Sequence, residues 1–87
     1  MIEYTERELQ KSIFIRTFNP NANMIWHRDR ERRTFEWLAG TDWYLQMDNQ
    51  IPSLIKSGIE YHIPIGMWHR LIPGHHQLQI KLVKHNI

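Results

Sequence analysis

The chain has 87 residues, 41% apolar and 23% charged, with a formal net charge of +2 and no cysteine. A chain this short builds a single core, so one domain over residues 1–87 is expected, and the lack of cysteine excludes disulfides, a thiolate nucleophile and a thiolate zinc site. No apolar run approaches the roughly 20 residues that cross a bilayer; with the polar opening MIEYTERELQ, which does not read as a signal peptide, this leads to the expectation of a cytoplasmic protein without a membrane partner.

In chain order, Tyr4 to Lys11 (YTERELQK) is the one segment whose composition suits a helical turn or two. Lys11 to Phe18 (KSIFIRTF) is β-branched and aromatic and ends at the breaker NPNAN, residues 19–23. Arg33 to Ala39 alternates and stops at Gly40-Thr41-Asp42, and Trp43 to Met47 runs into the turn pair Asp48-Asn49. Ile51 to Ile55 carries Pro52, which suits an edge strand or a strand start. Glu60 to Ile63 and then Met67 to Ile72 follow turns at 56–58 and 64–66. Beyond Pro73-Gly74, Gln77 to Val83 alternates cleanly, with Leu78, Ile80 and Leu82 on one face. Short strands with turn signals every eight to twelve residues predict an all-β sandwich or barrel.

The triplet Trp-His-Arg occurs twice, at 26–28 and at 68–70, in surroundings that do not otherwise match. A tandem repeat does not explain it; two strands bringing two histidines together does. Side chains two apart on a strand share a face, so His27, Asp29, Glu31 and Arg33 project together. An imidazole and a carboxylate side by side are two-thirds of a 2-His-1-carboxylate metal site, with His69 the candidate second imidazole and Glu31 a further ligand or a supporting partner. Arg28, Arg30, Arg32 and Arg33 lie within six residues but are interrupted by Asp29 and Glu31. A mixed-sign cluster of that kind reads as a solvated face or internal ion pairs rather than a nucleic-acid contact.

Two stretches resemble the motifs of the cupin superfamily, G(X)5HXH(X)3–4E(X)6G and G(X)5PXG(X)2H(X)3N. The second reads as Gly58, Pro64-Ile65-Gly66 and His69, with Pro73 in place of the closing Asn, over residues 58–73. The first reads as Asn21, His27-Arg28-Asp29, Arg33 and Gly40 over residues 21–40; its spacing holds while Asn21 replaces Gly, Asp29 replaces His and Arg33 replaces Glu. Asn21 is a mild change, because Asn tolerates a left-handed backbone. The resemblance implies a small jelly-roll-like double-stranded β-helix of the RmlC-like type, with the two ligand strands facing each other.

It further implies a divalent transition metal on His27, Asp29 and His69, Fe(II) first and Mn, Ni or Zn as alternatives. An HXD…H set in this superfamily suggests a non-heme dioxygenase, with Arg33 clamping an anionic co-substrate such as 2-oxoglutarate through its planar fork. The chain has little beyond the barrel to build a substrate pocket, so a homodimer supplying a further wall is expected with it. The alternatives are a non-enzymatic metal- or ligand-binding cupin, and a structural module with a vestigial site in which Arg33 neutralises Asp29 and Glu31. His62 is expected to face solvent beside Glu60, and His75-His76 to sit in an exposed turn. Trp26, Trp37, Trp43 and Trp68 are expected in the core or an interface, and Asp48 in a turn. The HRD at 27–29 lacks every other element of a kinase catalytic site.

Overall fold

The computed structural model describes residues 4–21 and 25–85. The described residues form eight strands: β1 (Tyr4–Gln10), β2 (Ile13–Phe18), β3 (Arg32–Ala39), β4 (Tyr44–Met47), β5 (Ser53–Leu54), β6 (Glu60–Ile63), β7 (His69–Ile72) and β8 (Leu78–His85). They form two antiparallel sheets, of order β1-β2-β8-β3-β6 and β5-β4-β7. From β3 onward the chain crosses repeatedly from one sheet to the other, which winds it into a double-stranded β-helix. The all-β expectation is met, and Pro52 precedes an edge strand, β5, as its missing N–H requires.

The expected helical turn at Tyr4 to Lys11 is instead β1, paired along its length with β2. Glu, Arg, Leu and Gln favour a helix weakly, by tenths of a kcal/mol per residue, and a free sheet edge offering a ladder of backbone hydrogen bonds outweighs that preference. Asn21 also departs from expectation. The left-handed non-glycine residues among those described are Ser12, Asp42 and Asn49, whereas the Asn21 N–H bonds to Asn19 Oδ1.

The core follows from the alternation. Leu78, Ile80 and Leu82 point inward from β8, opposite Phe18, Arg16 and Phe14 of β2, while Trp37 and Phe35 of β3 flank Ile80 and Leu82 on the other side. Leu45 and Leu71 close the core from the smaller sheet, and Trp43, 1% exposed, donates its indole N–H to the His76 carbonyl. Each such side chain contributes roughly 1.5–3 kcal/mol on full burial. Where β3 ends, Gly40 (φ 109°) lies so close to the start of the neighbouring strand β8 that a Cβ would collide with the Gln77 carbonyl. The Trp37 indole donates to the Gly40 carbonyl and seals that corner.

Candidate metal centre

The smaller sheet gains a fourth row at residue 27. His27 and His69 exchange backbone hydrogen bonds, His27 N–H to His69 O at 3.0 Å and the reverse at 2.9 Å. The segment around His27 is therefore extended but is not a long strand. The 64–67 turn locks its other side, with the Gly66 N–H donating to the Asp29 carbonyl at 3.0 Å. Gly66, at φ 74°, takes the left-handed conformation that this turn needs.

The antiparallel bridge sets His27 and His69 side by side, ring centroids 4.3 Å apart. It also explains the doubled triplet in full. With the histidines opposed, Trp26 falls opposite Arg70 and Arg28 opposite Trp68 on the outer face. Each guanidinium stacks on the opposing indole, Arg70 at 4.9 Å from the Trp26 ring and Arg28 at 5.2 Å from the Trp68 ring.

Inside, each histidine is oriented by a carbonyl two residues back: His27 Nδ1 by Ile25 O at 3.0 Å and His69 Nδ1 by Met67 O at 2.8 Å. A carbonyl oxygen only accepts, so both Nδ1 atoms carry hydrogen, and Nε2 is the ring nitrogen each histidine can offer to a metal. Burial pushes the His69 pKa down, with His27 and Arg33 acting in the same direction against the Met67 carbonyl and Asp29. His69 thus prefers its neutral form. Its Nε2 faces Asp29 Oδ2 at 3.4 Å, and His27 Nε2 lies 3.9 Å from Asp29 Oδ1.

Asp29 Oδ2 is buried and has no hydrogen-bond partner. A buried carboxylate oxygen without a partner costs energy, and the two Nε2 atoms beside it complete a donor set that a cation would satisfy. The three donors lie within 4.8 Å of one another. An ion with bonds of about 2.1 Å holds adjacent donors about 3 Å apart, so the set closes by an ångström or two around it. The residues present fit a transition-metal ion.

Arg33 and Glu31 pair with each other, the arrangement expected where Arg33 neutralises Asp29 and Glu31. Glu31 accepts from Arg33 Nε at 3.1 Å and from Nη2 at 2.9 Å, and stands outside the group of three donors. Arg33 Nη1 also reaches Asp29 Oδ1 at 3.3 Å. The guanidinium thus holds Oδ1, the oxygen nearer His27, and leaves Oδ2 facing His69. Its fork is engaged by two carboxylates of its own chain.

The group opens onto a cavity of about 50 Å³ with largely apolar walls, including Phe18, Phe35, Ile63 and Leu71. Arg16, absent from the sequence-based candidates, lines the same cavity. It is 7% exposed and donates to Glu6 Oε1 from Nε at 2.8 Å and from Nη2 at 2.6 Å. Its position between Phe14 and Phe18 on an alternating strand was the available signal. His62 pairs with Glu60 on the surface and His75 lies near Asp42 in an exposed turn, as expected. Asp48 is in the turn after β4, and of the tryptophans only Trp43 is fully buried.

No family model matches the chain, and no curated protein sequence does. Solved structures do. An RmlC-like cupin with a double-stranded β-helix fold from Methanocaldococcus jannaschii superposes with a TM-score of 0.70 at 15% identity, over 97% of this chain and 79% of that one. The chain has the cupin fold. A putative mannose-6-phosphate isomerase from Ralstonia eutropha JMP134 gives 0.70 at 14% identity, over 100% and 86% of the two chains. A DMSP lyase structure gives 0.74 at 11% identity over 85% of this chain, which spans only 37% of that longer chain. No helix among the described residues is long and apolar enough to cross a membrane.

Proposed function

We propose that this cupin binds one divalent transition-metal ion through His27 Nε2, His69 Nε2 and Asp29. The observation that carries the reading is the buried, unpartnered Asp29 Oδ2 facing His69 Nε2, with His27 Nε2 beside the other carboxylate oxygen and both Nδ1 atoms fixed by backbone carbonyls. Two histidines and one carboxylate are the donor set of non-heme Fe(II) oxygenases and leave about three positions open on an octahedral ion. Fe(II) is accordingly the first metal to test, with Mn, Ni and Zn after it. When bound, the ion supplies a Lewis acid and open coordination positions. The chain orients the two rings through Ile25 and Met67, holds Asp29 through Arg33, and excludes bulk water with its apolar walls.

The oxygenase reading extends to a small anionic ligand beside Arg33. A cavity of about 50 Å³ is several times smaller than the roughly 300–1,000 Å³ of drug-sized ligand sites. For 2-oxoglutarate to bind, Arg33 has to leave Asp29 and Glu31 and the cavity has to widen. Dioxygen, water and ligands of a few atoms fit without that change, so we place the substrate class there.

One observation favours a second reading, a module whose site is vestigial: the 3.3 Å contact by which Arg33 already neutralises Asp29. Elemental analysis of untagged protein separates the two. About one equivalent of metal, lost in His27→Ala and His69→Ala but kept in the surface variant His62→Ala, is the expected result. Absence of metal after reconstitution with Fe(II), Mn, Ni and Zn overturns the metal reading. For protein that does bind Fe(II), oxygen consumption with and without 2-oxoglutarate then tests the oxygenase assignment.

A further inference from the structure

In sequence, Asp29 and Glu31 interrupt the arginine cluster of residues 28–33. The fold sorts that cluster by side. Asp29 and Glu31 turn inward with Arg33, their side chains 8% and 21% exposed, and spend their charge on Arg33 and the candidate metal centre. Arg28 and Arg30 turn outward and are exposed, and neither forms an ion pair among the described residues. Arg70 joins them on the same face, its Nε donating to the neutral Gln46 at 2.8 Å.

Between these cations stand Trp26 and Trp68, 39% and 43% exposed although each is stacked by an arginine. The face continues across the smaller sheet to Tyr44 and Leu54, which pair directly and are 37% and 36% exposed. Asp48, in the turn whose N–H bonds the Trp68 carbonyl at 2.8 Å, places a carboxylate at its rim. The outer face is therefore a platform of flat rings interleaved with arginines, on the opposite side of the sheet from His27 and His69.

A second copy of this chain is a poor occupant. Face-to-face stacking would bring Arg28, Arg30 and Arg70 against the same three residues of the partner, with only the rim Asp48 of each copy, among the described residues, to offset them. The matching chemistry is an anionic chain that carries flat rings. We propose that this face binds single-stranded nucleic acid, with unpaired bases stacking on the exposed Trp26–Arg70 and Trp68–Arg28 pairs, whose guanidinium planes also stack bases, and phosphates meeting the N–H groups of Arg28, Arg30 and Arg70. Stacking needs an open π-face, which a duplex does not offer, and it tolerates any base. The metal reading is independent of this surface.

The test titrates the full chain with fluorescein-labelled oligouridylate and oligo(dT) of about 12 nucleotides at about 50 mM salt, following anisotropy and tryptophan quenching, with a duplex of equal length as control. Binding of the single strands, weaker for the duplex, is expected. Trp68→Ala should weaken it about 5- to 150-fold, the range that losing one stacked base implies. Arg28→Gln should weaken binding and lower the salt slope by about 0.7, one phosphate contact on a single strand. Asp48→Asn should tighten it.

Circular dichroism and metal content of each variant show whether the fold and the inner site are kept; should Trp68→Ala not fold, Arg28→Gln and Asp48→Asn carry the test. No single-strand binding, equal binding of duplex and single strand, or unchanged affinity in Arg28→Gln overturns the proposal. So does a dimer, seen by sedimentation equilibrium, that covers the face and excludes the oligonucleotide.

Discussion

Arg33→Met removes a guanidinium that lies 3.3 Å from Asp29 Oδ1 and 2.9 Å from Glu31 Oε1, while keeping most of the side chain's length and apolar contact. Removing one partner of a fully buried ion pair costs about 3–5 kcal/mol, because the other charge is left without compensation. Here the three side chains are 16%, 8% and 21% exposed, so water relieves part of that cost and about 2–3 kcal/mol is expected. In a chain of this size 1 kcal/mol moves the melting temperature by about 4–8 °C, so chelated Arg33→Met should melt about 10–20 °C below chelated wild type. A metal ion supplies the positive charge that the variant lacks. At equal free metal it stabilises the variant more than wild type by about 1.4 kcal/mol for each tenfold by which binding tightens where no guanidinium competes for Asp29, and about tenfold is expected. Thermal melts of both proteins with chelator and with saturating Fe(II) or Zn should show the gap about halved by metal. A gap that metal leaves unchanged would mean that Arg33 alone serves Asp29. Equal melting of the two chelated proteins would mean that the ion pair contributes nothing.

Acid should weaken the chelated protein through His69. Its folded pKa lies below the unfolded value of 6.5, so the neutral-state stabilisation is complete above pH 6.5 and is lost as pH falls from there toward the folded pKa. Melts between pH 5 and 8 should therefore slope downward on the acid side in wild type and slope less in His69→Asn, which keeps a donor for the Met67 carbonyl. Gly40→Ala should cost at least about 1–3 kcal/mol, since φ 109° is costly for alanine and its Cβ meets the Gln77 carbonyl; urea unfolding measures it, and a midpoint equal to wild type would show that the 40–77 approach relaxes freely.

The sequence alone determined the strands that bury one face, because period-two alternation is a local property: Leu78, Ile80 and Leu82 point inward whatever lies around them. It also determined the turns, where Gly66 and Asn49 adopt backbone conformations that few other residues tolerate. His27, Asp29 and His69 were legible for a related reason, since strand parity and motif spacing place donors before any packing is known.

What tertiary structure decided was each side chain's partner. β1 is a strand because β2 offered it an edge, against the weak preference of its own residues. Arg33 is held by Asp29 and Glu31 rather than standing open to an anion, and Arg16 is buried beside Glu6 across two strands. The doubled Trp-His-Arg was visible from the start, yet its outer half acquired meaning only through the antiparallel register at His27 and His69. Register is a contact between distant segments, and it alone set each tryptophan against the other triplet's arginine.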